Sequence, residues 1–258
     1  MLIKESEVPA IPETMTCHDH GDYQVVYTKL SEDMVIRSAV CKPCHEAGQK
    51  KAEEDSKKEQ QAAQKERRQR RLIKAGVSKR LIDKTFDDYV VTLPGQAKAK
   101  AKCEALTADV LEGKQTGSLI LNGGVGTGKT ALCAAIANRL VDTKTVRITK
   151  TIDLVRELKE TWSKDCQDTE KGLIKHYSLL DLLVIDEIGV QYGSETERLF
   201  LFDIIDGRYN EMKPTIIISN LGMDAITAAV GERIIDRLRE DGGDLIKFEW
   251  DSHRKKPN

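Results

Sequence analysis

The strongest constraint on the fold is a glycine-rich turn set between two segments of different periodicity. Ser118-Leu119-Ile120-Leu121-Asn122 is a short apolar run of the kind that forms a buried strand, and Thr130 to Val141 carries apolar residues at helical spacing, Leu132, Ala135, Ile136 and Leu140. Between them stands Gly123-Gly124-Val125-Gly126-Thr127-Gly128-Lys129-Thr130. That is the full spacing of a phosphate-binding loop, in the strand-then-helix context the motif needs. Glycines let the backbone wrap with its N–H groups facing an anion, and the start of the helix adds a favourable dipole. In such a loop Lys129 reaches the β- and γ-phosphates of ATP and the Thr130 hydroxyl ligates Mg²⁺. ATP or ADP with magnesium is the expected ligand of residues 123–130.

The rest of this region extends the same architecture. Thr145-Val146-Arg147-Ile148-Thr149 is a second strand, followed by an amphipathic helix from Ile152 to Trp162, and Leu182-Leu183-Val184-Ile185 and Thr215-Ile216-Ile217-Ile218 are further apolar strands. Apolar strands alternating with helices predict an α/β fold, a parallel sheet covered on both faces. The strand at 182–185 runs into Asp186 and Glu187. A buried strand should not end on two acids without partners. Asp186 is expected to hold Mg²⁺ and Glu187 to orient and deprotonate an attacking water. The strand at 215–218 leads to Ser219-Asn220, placing the Asn220 amide beside the γ-phosphate, or making it merely a turn residue. These groups describe an ATPase. Phosphoryl transfer also needs positive charge at the transition state, and Arg233 and Arg237, four apart on one helical face, are candidates to reach a neighbour's nucleotide; ordinary surface arginines are the other reading.

The first 45 residues follow a different logic. Cys17, Cys41 and Cys44 cluster with histidines, which in a reducing compartment reads as metal binding before disulfides. Cys17 with His20 and Cys41 with Cys44 form two pairs at two-residue spacing, a zinc-ribbon arrangement whose thiolate and imidazole ligands favour Zn²⁺. His18 or His45 could replace His20. Between this module (1–45) and the ATPase domain (76–258) lies a charged helical linker (46–75) that ends in the basic run Lys65-Glu66-Arg67-Arg68-Gln69-Arg70-Arg71, a solvated spacer or a surface for phosphates or an acidic partner. Cys103, Cys133 and Cys166 are scattered and receive no role. A net charge of -1 gives no global case for nucleic acid, and the absence of a long apolar run or secretory signal predicts a cytoplasmic protein with no membrane contact.

The combination resembles an AAA+ ATPase and, within that group, the bacterial and phage helicase loaders of the DnaC type. The resemblance rests on Asp181-Leu182-Leu183-Val184-Ile185-Asp186-Glu187-Ile188-Gly189-Val190-Gln191, on Gly231-Glu232-Arg233-Ile234-Ile235-Asp236-Arg237, and on Phe248-Glu249-Trp250-Asp251-Ser252-His253-Arg254. It covers roughly residues 70–258. It implies a protein that binds a hexameric replicative helicase and single-stranded DNA and helps place the helicase on DNA during replication initiation, under ATP control. It also implies that Arg237 is an arginine finger acting in a homo-oligomer, with Arg233 its companion, so that the isolated chain hydrolyses ATP weakly. Arg254 corresponds to an arginine that senses nucleotide in cis. The helix from Ile152 to Trp162 matches a region that contacts single-stranded DNA, with Trp162 stacking on a base, unless it is core, and Ser194 touching phosphate. The N-terminal 45 residues depart from the helical helicase-binding segment of the bacterial loader and suit phage-encoded relatives better. IstB-type transposition helpers share the ATPase core, so a transposase partner is the alternative, and a nucleotide-switched adaptor that needs no turnover is a third reading.

Overall fold

Short alternating runs near the N-terminus build two small antiparallel sheets. The strands are β1 (Leu2–Lys4), β2 (Thr14–Cys17), β3 (Gly21–Gln24), β4 (Val26–Lys29) and β5 (Met34–Ser38); β1, β5 and β4 pair in that order, and β2 pairs with β3 as a hairpin. Between β3 and β4, Val25 turns inward, is buried and donates its N–H to the Glu13 carbonyl at 2.8 Å. Arg37 binds both Glu13 carboxylate oxygens, at 3.0 and 2.6 Å, and the Tyr27 hydroxyl donates to the same carboxylate at 2.8 Å. Among the described residues up to Glu66, only Val25, Val35 and Cys41 are buried hydrophobics, too small a core to hold such a segment folded unaided.

The structure is a computed structural model that describes residues 2–11, 13–163, 165–189 and 195–252. It divides into two units, Met1–Glu66 and Arg67–Asn258. The helix α1 (Lys42–Lys74) carries the charged run expected to be helical, and of its residues only Leu72 is buried. No helix among the described residues is long and apolar enough to cross a membrane.

The second unit continues with α2 (Pro94–Glu112), β6 (Leu119–Gly123), α3 (Lys129–Leu140), β7 (Val146–Lys150), α4 (Thr151–Glu160), α5 (Glu170–Leu179), β8 (Leu182–Asp186), α6 (Glu195–Asn210), β9 (Thr215–Ser219), α7 (Met223–Val230), α8 (Glu232–Arg239) and β10 (Asp244–Phe248). Its five strands form one parallel sheet in the order β10-β6-β9-β8-β7. The period of two along each strand divides the apolar run between two cores. Leu119, Leu121, Leu182, Val184, Ile216 and Ile218 face one core, shared with α2 and α3, while Ile120, Leu183, Ile185 and Ile217 face the other, shared with α4 to α8. This is the parallel α/β sheet expected from the sequence. The free edge of β7 is closed by residues 75–76: Ile148 donates its N–H to the Ala75 carbonyl at 2.6 Å, and a side chain at Gly76 would collide with the Ile148 carbonyl.

Among the described residues one cation is fully enclosed. Arg208 on α6 is 0% exposed and donates to the carbonyls of Tyr177 (2.6 Å), Leu180 (2.9 Å) and Pro214 (2.5 Å) and to the Thr215 hydroxyl (2.8 Å). It ties the end of α5 to the start of β9, so the strand that leads to Asn220 is anchored from behind.

Candidate functional site

Carboxyl ends of parallel strands are where an open α/β sheet presents ligands, and here β6, β8 and β9 deliver the glycine-rich loop, Asp186 and Asn220 to one side. They line a cleft of about 650 Å³. The loop turns on glycines with positive φ, Gly123 (145°), Gly126 (82°) and Gly128 (100°). At Gly123 and Gly128 the demand is also steric, since an added Cβ would lie 2.4 Å from the Phe248 carbonyl oxygen and 2.8 Å from the Tyr89 ring. No side chain caps the start of α3, so its first-turn N–H groups remain for an anion.

The buried Lys129 satisfies its ammonium on the loop itself, donating to the carbonyls of Gly123 and Gly124, each at 2.7 Å. Burial pulls its pKa below the ordinary lysine value, against the opposing effect of Asp186. The Thr130 hydroxyl donates to Asp186 Oδ2 at 3.2 Å. A hydroxyl and a carboxylate converging beside a phosphate loop are the hard oxygen donors that suit Mg²⁺. Burial raises the Asp186 pKa, while hydrogen bonds from the Glu187 amide (2.8 Å) and Thr130 oppose the rise. Glu187 has φ 61°, and its Oε1 is paired with Lys150 Nζ at 3.0 Å across the neighbouring strand end. The hydrogen bond to Glu187 raises the Lys150 pKa. Asn220 lines the cleft immediately after β9.

The raised Asp186 pKa has a stability consequence. Between the ordinary carboxylate value and the raised one the folded state binds more protons than the unfolded state, so stability falls as pH rises through that window and stays reduced at neutral pH. We expect Asp186→Asn to raise the thermal midpoint of the nucleotide-free protein by a few degrees while abolishing Mg-dependent nucleotide binding. Calorimetry and nucleotide titration check the two halves, and a lowered midpoint would oppose this reading.

The opposite wall of the cleft was not legible as a site in the sequence. Leu81, Lys84, Asp88, Tyr89 and Val90 line it. The Thr85 N–H and hydroxyl both donate to Asp88 Oδ2, at 2.8 and 2.9 Å, a turn that folds the segment against the loop. The available signal was Thr85-Phe86-Asp87-Asp88-Tyr89, a polar turn with two aromatics just before a helix that starts at Pro94.

The arginines lie elsewhere. Arg233 is exposed in the first turn of α8. Arg237, one turn on, forms an ion pair with Asp206 and packs on the rings of Phe202 and Tyr209, 4.9 and 5.5 Å from their centroids. It borders a small cavity with Gly117, Ser118 and Thr215, at the amino ends of β6 and β9. A strand of five residues spans about 16 Å, so Arg237 stands the length of the sheet away from its own phosphate loop. Trp162 lies two residues past the end of α4 rather than on it; it is 58% exposed, its indole N–H donates to Glu170 at 2.6 Å, and its ring lies 5.9 Å from that of Phe200. Ser194 and Arg254 fall outside the described residues.

The first unit holds a second cluster. Cys17, His20, Cys41 and Cys44 converge, with His20 Nδ1 at 3.5, 3.4 and 3.4 Å from the three sulfurs and Cys17 Sγ at 3.7 Å from Cys44 Sγ. A tetrahedral zinc with bonds of about 2.3 Å to sulfur and about 2.0 Å to nitrogen has edges of about 3.5–3.8 Å, so the group is already spaced for that ion. His18 is 98% exposed and turned to Asp19, and His45 is exposed on α1; neither joins the cluster. A hydrogen bond from the Asp19 backbone lowers the Cys17 pKa to about 6, and the crowded thiols push that of Cys44 up to about 12, a repulsion that a dication would relieve. We expect Cys41→Ser to lose zinc, measured by metal analysis, and to unfold residues 13–41 as seen by proteolysis. Retention of both would argue against a metal-held module.

A family model described as IstB-like ATP binding protein matches residues 45–258. The replicative helicase loader DnaC of Buchnera aphidicola subsp. Acyrthosiphon pisum is 34% identical over 187 residues, 72% of this chain and 75% of that protein. The crystal structure of the DnaC helicase loader superposes with a TM-score of 0.57 at 23% identity, covering 66% of this chain and 99% of the other. AMPPCP-bound DnaA from Aquifex aeolicus superposes with a TM-score of 0.56 at 24% identity over 65% of this chain, which spans 50% of that initiator. A phosphate loop, an acidic strand end and a five-stranded parallel sheet thus coincide with a family match over most of the length, and the chain belongs to the IstB-like ATP-binding family, with the AAA+ fold of the DnaC-type helicase loaders.

Proposed function

We propose that this protein is an ATP-controlled loader that binds a hexameric replicative helicase and single-stranded DNA and helps place the helicase on DNA. The observation that carries the reading is the cleft that joins the glycine-rich loop, Asp186, Glu187 and Asn220 in a chain 34% identical to a replicative helicase loader over 72% of its length. In this account residues 1–45 are a zinc-held module, 46–75 a helical linker and 76–258 the ATPase domain, acting in the cytoplasm. Residues 123–130 bind the phosphates, Lys129 exchanging its two carbonyl partners for phosphate oxygens. Thr130 and Asp186 would hold Mg²⁺, whose charge offsets that of the phosphates. Glu187 orients and deprotonates the attacking water, with Asn220 beside it. Arg237 of a second copy, flanked by Arg233, supplies the transition-state charge, and Arg254 responds to nucleotide within its own chain. Trp162 and Ser194 contact single-stranded DNA; the exposure of the Trp162 ring supports stacking, and the Glu170 bond orients it.

The Lys150–Glu187 pair bears on turnover, because the Glu187 carboxylate must leave the Lys150 ammonium to reach an attacking water. Both side chains are about half exposed, 52% and 44%, so the contact is worth at most about 1 kcal/mol, equivalent to about fivefold in rate. We expect Lys150→Met to raise the basal ATPase rate by about two- to fivefold, read in a steady-state assay. A fall in rate would reassign Lys150 to nucleotide contact.

A closed circular single strand tests the proposal. Helicase retained on the circle should require this protein and ATP, and loading that is indifferent to the protein would refute it. The family model favours one other reading, a helper ATPase of transposition, whose readout is ATP-dependent capture of a transposase encoded beside it.

A further inference from the structure

Trp250 stands two residues beyond β10 and outside the cleft-lining set, yet it holds the phosphate loop from behind. Its indole Nε1–H donates to the Thr127 carbonyl at 2.9 Å. The ring is fixed on two sides. Its centroid lies 4.7 Å from that of Phe248, and it abuts the first turn of α2 so closely that a Cβ at Gly95 would come within 3.1 Å of Cζ3. Thr127 is 1% exposed, and its own hydroxyl donates to the Gly124 carbonyl at 2.9 Å.

The consequence lies in the next peptide group. In a trans peptide the C=O and N–H point to opposite sides, and the chain has no cis bond among the described residues. A Thr127 carbonyl drawn away from the cleft toward Trp250 therefore turns the Gly128 N–H toward it. Gly128 itself fixes this orientation only loosely, because a glycine at φ 100° with no side-chain cap can let the peptide before it rotate. We propose that Trp250 is a positioning residue of the nucleotide site, which locks the Thr127–Gly128 peptide with its N–H facing the phosphates. The inference rests on reading the cleft as an ATP site. Trp250 acts through the loop and touches no nucleotide atom.

The test compares the wild-type full-length chain, Lys129→Ala and Trp250→Phe, which removes the donor and keeps an aromatic ring. Fluorescent ADP and ATPγS are the probes, alongside thermal midpoints and steady-state turnover. For Trp250→Phe we expect the Kd of both probes and the KM for ATP to rise by about three- to tenfold, the range one hydrogen bond commands, with kcat within about twofold and the midpoint nearly unchanged. A Trp250→benzothienylalanine chain, made by ligating a synthetic C-terminal peptide, changes only N–H to sulfur and should reproduce the loss. Unchanged affinity in either variant overturns the inference, as does a loss of affinity that tracks a fallen midpoint in Trp250→Phe and is absent from the benzothienylalanine chain. A wild-type chain that binds neither probe, or a Lys129→Ala chain that binds both as well as the wild type does, sinks the ATP-site reading instead.

Discussion

Replacing Glu187 by glutamine should lower ATP turnover by about 10²–10⁴-fold while leaving Mg-dependent nucleotide binding nearly intact, the loss expected when a general base is removed. The geometry supports this separation. Asp186, partly buried and bonded to Thr130, stands on the phosphate side, whereas the Glu187 side chain pairs with Lys150 and contributes nothing to the hydroxyl and carboxylate pair that would hold Mg²⁺. Single-turnover kinetics with a parallel binding titration distinguish the two effects. The same variant separates a cycling loader from a nucleotide-switched adaptor: an adaptor keeps its function with Glu187→Gln, and a cycling ATPase loses it. Equal loss of binding and turnover would mean that Glu187 is a structural or metal-holding residue.

Arg237→Ala is expected to lower turnover of the assembled protein by about 10³-fold or more, with ATP affinity little changed, the effect of withdrawing an arginine finger. Arg237 lies at the far end of the sheet from its own loop, so any catalytic action must be on another copy. It must also leave Asp206 and the faces of Phe202 and Tyr209 to reach that site. Mixing makes the claim specific. Arg237→Ala retains a complete loop, and Lys129→Ala retains the arginine; combined, the two inactive chains should recover part of the activity. Mixtures as inactive as their components, or equal loss of affinity and turnover in Arg237→Ala, would count against a trans role.

The parts of the site made by contiguous residues were legible in the sequence. A strand, glycines at set positions and a helix start are local devices, and β6, the loop and α3 appear within a residue or two of their expected bounds, the usual uncertainty of element ends. The cysteine pairs were legible for the same reason, since two-residue spacing brings two donors onto one turn. The same spacing singles out His20, which joins the cluster, whereas His18 and His45, each next to a cysteine in the chain, stay exposed. Contacts made by register and packing were invisible. Lys150 meets Glu187 because β7 and β8 are neighbours in the sheet, Leu81 to Val90 form a wall of the cleft through a turn more than thirty residues before the loop, and Trp250 reaches Thr127 across 123 positions. Helical spacing placed Arg233 and Arg237 on one face but carried no sign of the Asp206 pair, and the helix expected to reach Trp162 stops at Glu160.

Engagement of a replicative helicase by this AAA+ chain under nucleotide control is open to measurement by co-migration. The purified protein, mixed at micromolar concentration with the hexameric helicase of the same organism, should elute with it from size exclusion in the presence of ATP and magnesium, at a mass by light scattering that exceeds the helicase alone. Elution of the two proteins apart, both with and without ATP, would mean that the chain does not engage the helicase.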